Sequence, residues 1–332
     1  MKRILALFIV VAMTAVLFGC GKDESGTDFS SLAETGTETL KTTTETQSEQ
    51  PSTETPDPSP MDTNDNDRGS RVVYGKRTGT DKTYTGLEPL PEITLSVVDP
   101  ENIRGMSTAK VNHSYGVSKN EKPHDISVEN QKLYEQYGGL CLDTGGERCI
   151  YLTYDCGYEN GYTESILDTL KEKGVTATFF ITMDYAKTAP EIVARMINEG
   201  HIVGNHSTTH ADFSGISRMK MAEEIQLLDN YLRVNFGYSS SFFRFPEGSY
   251  SESALDLVQN CGYQSVFWSS AYADWDANDV KGAQYAVDTV TSRLHPGCVL
   301  LLHTVSPDNA NAMGAIIDYA VSAGYVFKSL NA

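Results

Sequence analysis

Apolar and polar positions divide the chain into stretches of different character. An unbroken apolar run from Ile4 to Phe18 gives way, from Gly21 to about Ser70, to Thr, Ser, Glu, Asp and Pro. Only Phe29, Leu32, Leu40 and Met61 interrupt that polar stretch with large apolar side chains. It cannot bury enough surface to offset the entropy of ordering it, so a disordered, self-repelling spacer is expected. Between Tyr84 and Gly139 the pattern is mixed and punctuated by Pro, Asn and Asp, with one helix predicted over Ser127–Tyr137. This reads as a lead-in that packs on the main domain. After Arg148, short apolar runs alternate with stretches of helical period. Strands are predicted at Ile150–Asp155, Ala177–Thr182, His201–Gly204, Phe242–Phe245, Ser265–Trp268, Val299–His303 and Tyr325–Lys328. Between them fall helices at Glu164–Lys173, Pro190–Glu199, Lys220–Asn235, Ser253–Asn260, Ala283–Leu294 and Asn309–Ala323. The alternation implies an α/β fold with a parallel sheet. Seven short strands are too few for a full eight-fold barrel, so a distorted (β/α) barrel is expected. The segments are therefore 1–20 (export signal), 21–80 (spacer), 81–145 (lead-in) and 146–332 (barrel).

Charge changes the picture at the N-terminal side. The net charge is −18, and twelve acids against three bases between Gly21 and Ser70 account for half of it. With no basic cluster anywhere, binding nucleic acid by phosphate neutralisation is excluded. The start Met1-Lys2-Arg3, its apolar run and the ending Leu17-Phe18-Gly19-Cys20 fit an export signal. The last four residues resemble the lipobox of bacterial lipoproteins, which implies lipid attachment at Cys20 and a membrane-anchored protein on the outer face of the cytoplasmic membrane. An ordinary signal that happens to contain a cysteine, or an uncleaved anchor, is the alternative. Of the remaining cysteines, Cys141 and Cys149 flank a turn-rich stretch and are candidates for a disulfide. Cys261 and Cys298 sit among apolar residues and read as core thiols.

In parallel α/β folds, chemistry gathers at the carboxyl ends of the strands. Four strand ends here carry reactive residues: Asp155 and Cys156, His206 and His210, Arg244, and His303, with Asp274-Trp275 close after the Ser265–Trp268 run. Singly, each has an ordinary explanation as a cap, a core histidine or a paired arginine. Together, at one end of successive strands, they read as one site.

The segments Thr153-Tyr154-Asp155-Cys156-Gly157-Tyr158-Glu159-Asn160-Gly161-Tyr162, His206-Ser207-Thr208-Thr209-His210, Arg244-Phe245-Pro246-Glu247-Gly248, Asp274-Trp275 and Leu301-Leu302-His303 resemble, in order, the five motifs of the NodB-type polysaccharide deacetylases (carbohydrate esterase family four). The resemblance runs from about Glu147 to Leu330. Within the family, Gly157–Tyr162, the Phe267-Trp268-Ser269 run, His295-Pro296-Gly297 and Phe327-Lys328-Ser329-Leu330 resemble the PdaA-like branch. Tyr115-Gly116 and Lys122-Pro123 of the lead-in do so too. That branch deacetylates N-acetylmuramic acid on the way to the muramic δ-lactam of spore cortex.

The residue types suit the chemistry. Hydrolysing an acetamide needs an activated water, a stabiliser for the oxyanion and an acid for the departing amine. A divalent metal at His206 and His210, zinc before manganese or magnesium, is expected to lower the pKa of water toward roughly 7. Asp155 is the expected general base, with Arg244 keeping it ionised and Asp274 orienting His303 or Arg244. His303 is the expected acid, and a backbone N–H near Glu247 is the oxyanion donor that the resemblance implies. Tyr158, Glu247 and Trp275 are expected to touch the sugar. Three departures stand out. Cys156 occupies the position of the family's metal-binding second acid, Glu247 replaces a usual aromatic or basic residue, and Ala271 stands where a further acid is usual. Cys156 is either a thiolate ligand, the reading favoured here, or a space-filling neutral thiol. The expected function is metal-dependent deacetylation of peptidoglycan at muramic acid. The alternatives are a peptidoglycan N-acetylglucosamine or chitooligosaccharide deacetylase and an inactive glycan-binding module.

Overall fold

The computed structural model describes residues 82–331. The export segment, Cys20 and the spacer at 21–80 lie outside the described residues. The barrel is built from β2 (Cys149–Cys156), β3 (Thr178–Ile181), β4 (Ile202–Asn205), β5 (Phe242–Phe243), β7 (Gln264–Ser265), β8 (Cys298–His303) and β9 (Val326–Phe327). They run in the order β7-β5-β4-β3-β2-β8, all parallel, and β9 pairs with the start of β2 on the edge that β3 takes further along. The sheet curls until chain beyond β7 meets β8. Ser270 N–H donates to Val299 O at 3.2 Å, and Leu301 N–H donates to Ser270 O at 2.9 Å. That irregular seam makes the predicted distorted barrel. All seven predicted strands are present, although β5, β7 and β9 shrink to two residues each.

The strand period of two sorts side chains into two cores. Ile150, Leu152, Tyr154 and Cys156 of β2, with Phe179 and Ile181 of β3 and Leu300 and Leu302 of β8, face the helices. These helices are α2 (Thr163–Lys173), α4 (Pro190–Asn198), α5 (Arg218–Phe236), α7 (Ala283–Thr291) and α8 (Pro307–Ser322). Phe180, Phe243, Val299 and Leu301 turn to the other side, where Phe245, Val266 and Phe267 complete a second core. α1 (Asp125–Tyr134) and α6 (Glu252–Asn260) pack there through Tyr134, Leu255 and Leu257. Each such fully buried side chain contributes about 1.5–3 kcal/mol relative to exposure. Helix starts are fixed locally: Ser217, Ser251 and Ser306 each accept a backbone N–H in the first turn of α5, α6 and α8.

The lead-in is a strap. It begins beside the carboxyl end of α5, where Tyr84 N–H donates to Asn235 O at 2.8 Å and the Tyr84 ring stacks on Phe236. It climbs α5 through bonds from Ile93 and Leu95 to the side chains of Asn230 and Gln226. Arg104 and Arg218 then share Asp256 of α6. The strap ends in β1 (Val111–Asn112), antiparallel to β6 (Ser249–Tyr250), which brings it to the carboxyl ends of the barrel strands. Neither two-residue strand, nor the six-residue α3 (Met183–Thr188), has a period long enough to read in sequence. The disulfide expectation is corrected: Cys141 and Cys149 are free thiols, as are Cys156, Cys261 and Cys298. Cys141 Sγ donates instead to Ser127 O and Cys149 Sγ to Asp143, so the turn-rich stretch between them does not set them opposite each other.

Candidate active site

Asp155 is the penultimate residue of β2, and the strand's alternation turns it toward the strand-end cleft, away from the helices. Its Oδ1 accepts from Arg244 Nη1 at 2.7 Å. Arg244 follows β5 and is fully buried. Its fork is satisfied by Thr153 Oγ1 at 2.9 Å, Val266 O at 2.9 Å and Phe267 O at 3.3 Å, and it lies 4.2 Å over the Phe180 ring. The Arg244 charge is tolerated at this depth because every guanidinium nitrogen has a partner, while Asp155 keeps one oxygen free for the cleft. Burial works against the Asp155 charge, but Arg244, then His206 and His303, outweigh it and hold its pKa below the usual carboxylate value.

His206 follows β4. Its Nδ1 bonds Arg244 O at 2.9 Å, which makes Nδ1 the N–H and leaves the Nε2 lone pair 3.6 Å from Asp155 Oδ2. Burial lowers the His206 pKa to about 4, so the ring is neutral. The His210 ring lies 5.0 Å away at 77°. The two imidazoles are a partial donor set that suits a divalent ion with positions left open, as a catalytic rather than a structural site has, and the free Asp155 oxygen lies beside them. Among the described residues no group of three or more His, Cys, Asp or Glu side chains closes around one point.

Beside Asp155, in register with it on the neighbouring strand, His303 ends β8. Its Nδ1 and Asp274 Oδ1 are 2.7 Å apart, and Asp274 Oδ2 accepts from the His303 backbone N–H at 2.9 Å. Asn309 Nδ2 adds a bond to that same Oδ2 at 2.6 Å and another to His303 O at 3.0 Å. Burial opposes a protonated ring, yet the Asp274 charge and hydrogen bond, aided by Asp155, raise the His303 pKa above its ordinary value. Asp155, His206, His210 and His303 all line one cleft of about 840 Å³. A carboxylate held ionised and, next to it, an imidazole made easier to protonate can serve as the two halves of an acid–base pair.

Of the expected sugar contacts, Tyr158, Glu247 and Trp275 all line the cleft and are exposed, Trp275 by 62%. The Trp275 ring meets His303 edge-on, with centroids 6.3 Å apart. Glu247 sits at φ 57°, in the left-handed region. The thiolate reading of Cys156 is corrected. One residue along the strand from Asp155, it faces the helix-side core, is fully buried, and takes a bond from Thr304 Oγ1 at 3.6 Å. Burial lifts its thiol pKa well above the ordinary value. Cys156 is the space-filling neutral thiol of the two alternatives.

The cleft is also built by residues for which the sequence implied no role. Thr153 steadies Arg244, Asn309 steadies Asp274, and Tyr115 and Trp268 form part of the cleft wall. Glu159 and Asn160 of the Gly-Tyr-Glu-Asn-Gly-Tyr run brace the Tyr158 loop. Glu159 accepts from Tyr185 at 2.7 Å and from Thr163, and Asn160 donates to Val305 O at 3.0 Å.

Comparison with known proteins agrees with this geometry. Residues 143–266 match the family profile of polysaccharide deacetylases. The peptidoglycan-N-acetylmuramic acid deacetylase PdaA of Bacillus subtilis is 40% identical over 222 residues, 67% of this chain and 84% of that one. An uncharacterised 30.6 kDa protein of Geobacillus stearothermophilus is 43% identical over 227 residues, 68% of this chain and 86% of that one. The solved structure of B. subtilis PdaA, a family 4 carbohydrate esterase, superposes with a TM-score of 0.65 at 39% identity, covering 68% of this chain and 97% of that one. The chain belongs to the polysaccharide deacetylases of carbohydrate esterase family four, and is an enzyme of that family.

Proposed function

We propose that this enzyme removes the acetyl group from N-acetylmuramic acid in peptidoglycan, in a metal-dependent reaction that leads to muramic δ-lactam. The observation that carries the hydrolysis is that Asp155 and His303, in register on the neighbouring strands β2 and β8, line one cleft, the first held as a carboxylate beside Arg244 and the second made easier to protonate by Asp274. A divalent ion held by His206 and His210, when bound, polarises the acetamide carbonyl and lowers the pKa of a water beside it. Asp155 takes the proton of the attacking water through the oxygen that Arg244 leaves free. His303 gives its proton to the departing amine while Asp274, fixed by Asn309, holds the ring. A backbone N–H of the left-handed turn at Glu247, which lines the cleft, is the proposed donor to the oxyanion. Trp275 and Tyr158 stack on the sugar. Export, and tethering to the membrane through Cys20, complete the reading, since peptidoglycan lies outside the cytoplasm.

The choice of muramic acid rests on the 40% identity to the muramic-acid enzyme. One observation favours the second reading, a glucosamine or chitooligosaccharide substrate. Asp184 and Glu247 line the cleft beside Asp155, and no lysine or arginine is among the described residues lining it. A free lactyl carboxylate finds no lysine or arginine there, whereas N-acetylglucosamine carries no charge. Paired assays decide between them. Acetate release from peptide-stripped peptidoglycan is compared with release from chitooligosaccharide, with and without chelator. The proposal expects chelator-sensitive release from the first with the free amines on muramic acid; free amines on glucosamine alone, or release confined to chitooligosaccharide, overturn it in favour of the second.

A further inference from the structure

The loop that carries the two histidines is conformationally costly. Ser207 lies at φ 68° and His210 at φ 58°, two non-glycine residues in the left-handed region within five positions. Each costs about 1–2 kcal/mol, so something must hold the turn against relaxing. The holder is Glu224 on α5. Its side chain is fully buried, and both of its oxygens go to one loop residue: Thr209 N–H donates to Oε2 at 2.7 Å and Thr209 Oγ1 donates to Oε1 at 3.1 Å. Its own backbone carbonyl accepts from Thr208 Oγ1 at 2.8 Å. The cation nearest to it is Lys220 at 3.4 Å, on a half-exposed side chain at the helix surface. A carboxylate taken out of water is kept by the bonds it makes, and here the strongest of these end one residue before His210.

We propose that Glu224 is a positioning residue for the metal: by clamping Thr209 it fixes His210 against His206, and so sets the affinity of the pair for a divalent ion. This rests on the reading that His206 and His210 hold that ion. Residues that orient metal ligands from behind typically govern affinity by about 10- to 100-fold. Glu224 touches neither the cleft nor the reacting atoms, so its effect is expected in metal affinity and not in the chemistry of the loaded site.

The test is calorimetric titration of the exported protein with zinc, for wild type, His210→Ala, Glu224→Gln and Thr209→Val. Glu224→Gln keeps one acceptor and loses the other, and Thr209→Val removes the hydroxyl from the opposite end of the same contact. Wild type is expected to bind one ion and His210→Ala to lose it. Glu224→Gln and Thr209→Val are expected to weaken binding about 10- to 100-fold while circular dichroism shows them folded. Wild-type affinity in both variants overturns the role of Glu224 and leaves the metal reading standing. Wild-type affinity in His210→Ala overturns the metal reading and this proposal with it. Should Glu224→Gln fail to fold, Thr209→Val, on an exposed loop residue, decides alone.

Discussion

At the scale of single residues, the site works by setting two charge states against the pull of burial. Asp155 stays ionised because Arg244 lies 2.7 Å away, and Asp274, 2.7 Å from His303, makes that ring easier to protonate. The two shifts widen the pH range over which the proposed base and acid are both ready: one limb falls below the usual carboxylate range, the other rises above the usual histidine value. Asp274→Asn removes the charge that raises the His303 pKa, so the alkaline limb of the activity profile should move to lower pH and the maximal rate should drop about 10²-fold or more. An unmoved limb contradicts the pairing. Cys156→Ser tests the correction of its role. Because the thiol faces the helix-side core, the variant should lose about 1–3 kcal/mol of stability in denaturant unfolding and bind zinc with the wild-type constant. The sequence held the signal for this. Ile150, Leu152, Tyr154 and Cys156 form the apolar half of an alternating strand, while Thr153 and Asp155 form the other half. Motif alignment hid that period by treating Asp155 and Cys156 as neighbours in space.

At the scale of elements, the parallel strands and the long helices were legible because each carries its own period, and β2 and β8 match their predicted cores closely. What was not legible depends on partners distant in sequence. β1 exists only because β6 lies beside it, and Glu224 reads as one more acid on a surface helix until the His206–His210 loop folds onto it. The convergence of Asp155, His206, His210, Arg244 and His303 was foreseeable from the rule that parallel strands deliver their carboxyl ends to one place. The anchoring by Thr153 and Asn309 was not, because neither stands out by residue type. The turn Pro246–Gly248 gives the sharpest element-level prediction. Gly248 has φ 66°, and a Cβ there would stand 2.7 Å from Trp268 Cη2 and 3.1 Å from His113 Cβ. Gly248→Ala should therefore cost about 1–2 kcal/mol from the backbone and a further 1–3 kcal/mol from crowding. Because Trp268 lines the cleft, KM should rise as well. A variant with wild-type Tm and KM contradicts the packing described.

At the scale of the whole molecule, the strap ties the two ends of the barrel together. The described chain enters beside the carboxyl end of α5 and reaches the cleft only at β1, where Tyr115 joins its wall. The strap therefore belongs to the site as well as to the fold. Anchoring is a separate matter: the proposed lipid at Cys20 predicts that the protein expressed in a bacterial host partitions into the detergent phase and that Cys20→Ala does not. Equal partitioning of both removes the anchor and leaves only an export signal. The central claim is that this cleft deacetylates muramic acid through the Asp155 and His303 pair. His303→Ala probes it more cleanly than Asp155→Asn, which strands the buried Arg244 charge at a cost of about 3–5 kcal/mol. The direct measurement is digestion of peptide-stripped peptidoglycan with wild-type and His303→Ala protein, followed by counting acetate released and identifying the deacetylated sugar. The account predicts one acetate per newly exposed muramic amine with wild type, and a loss of about 10²–10⁴-fold in the folded variant. Undiminished release by His303→Ala, or free amines on glucosamine alone, would contradict it.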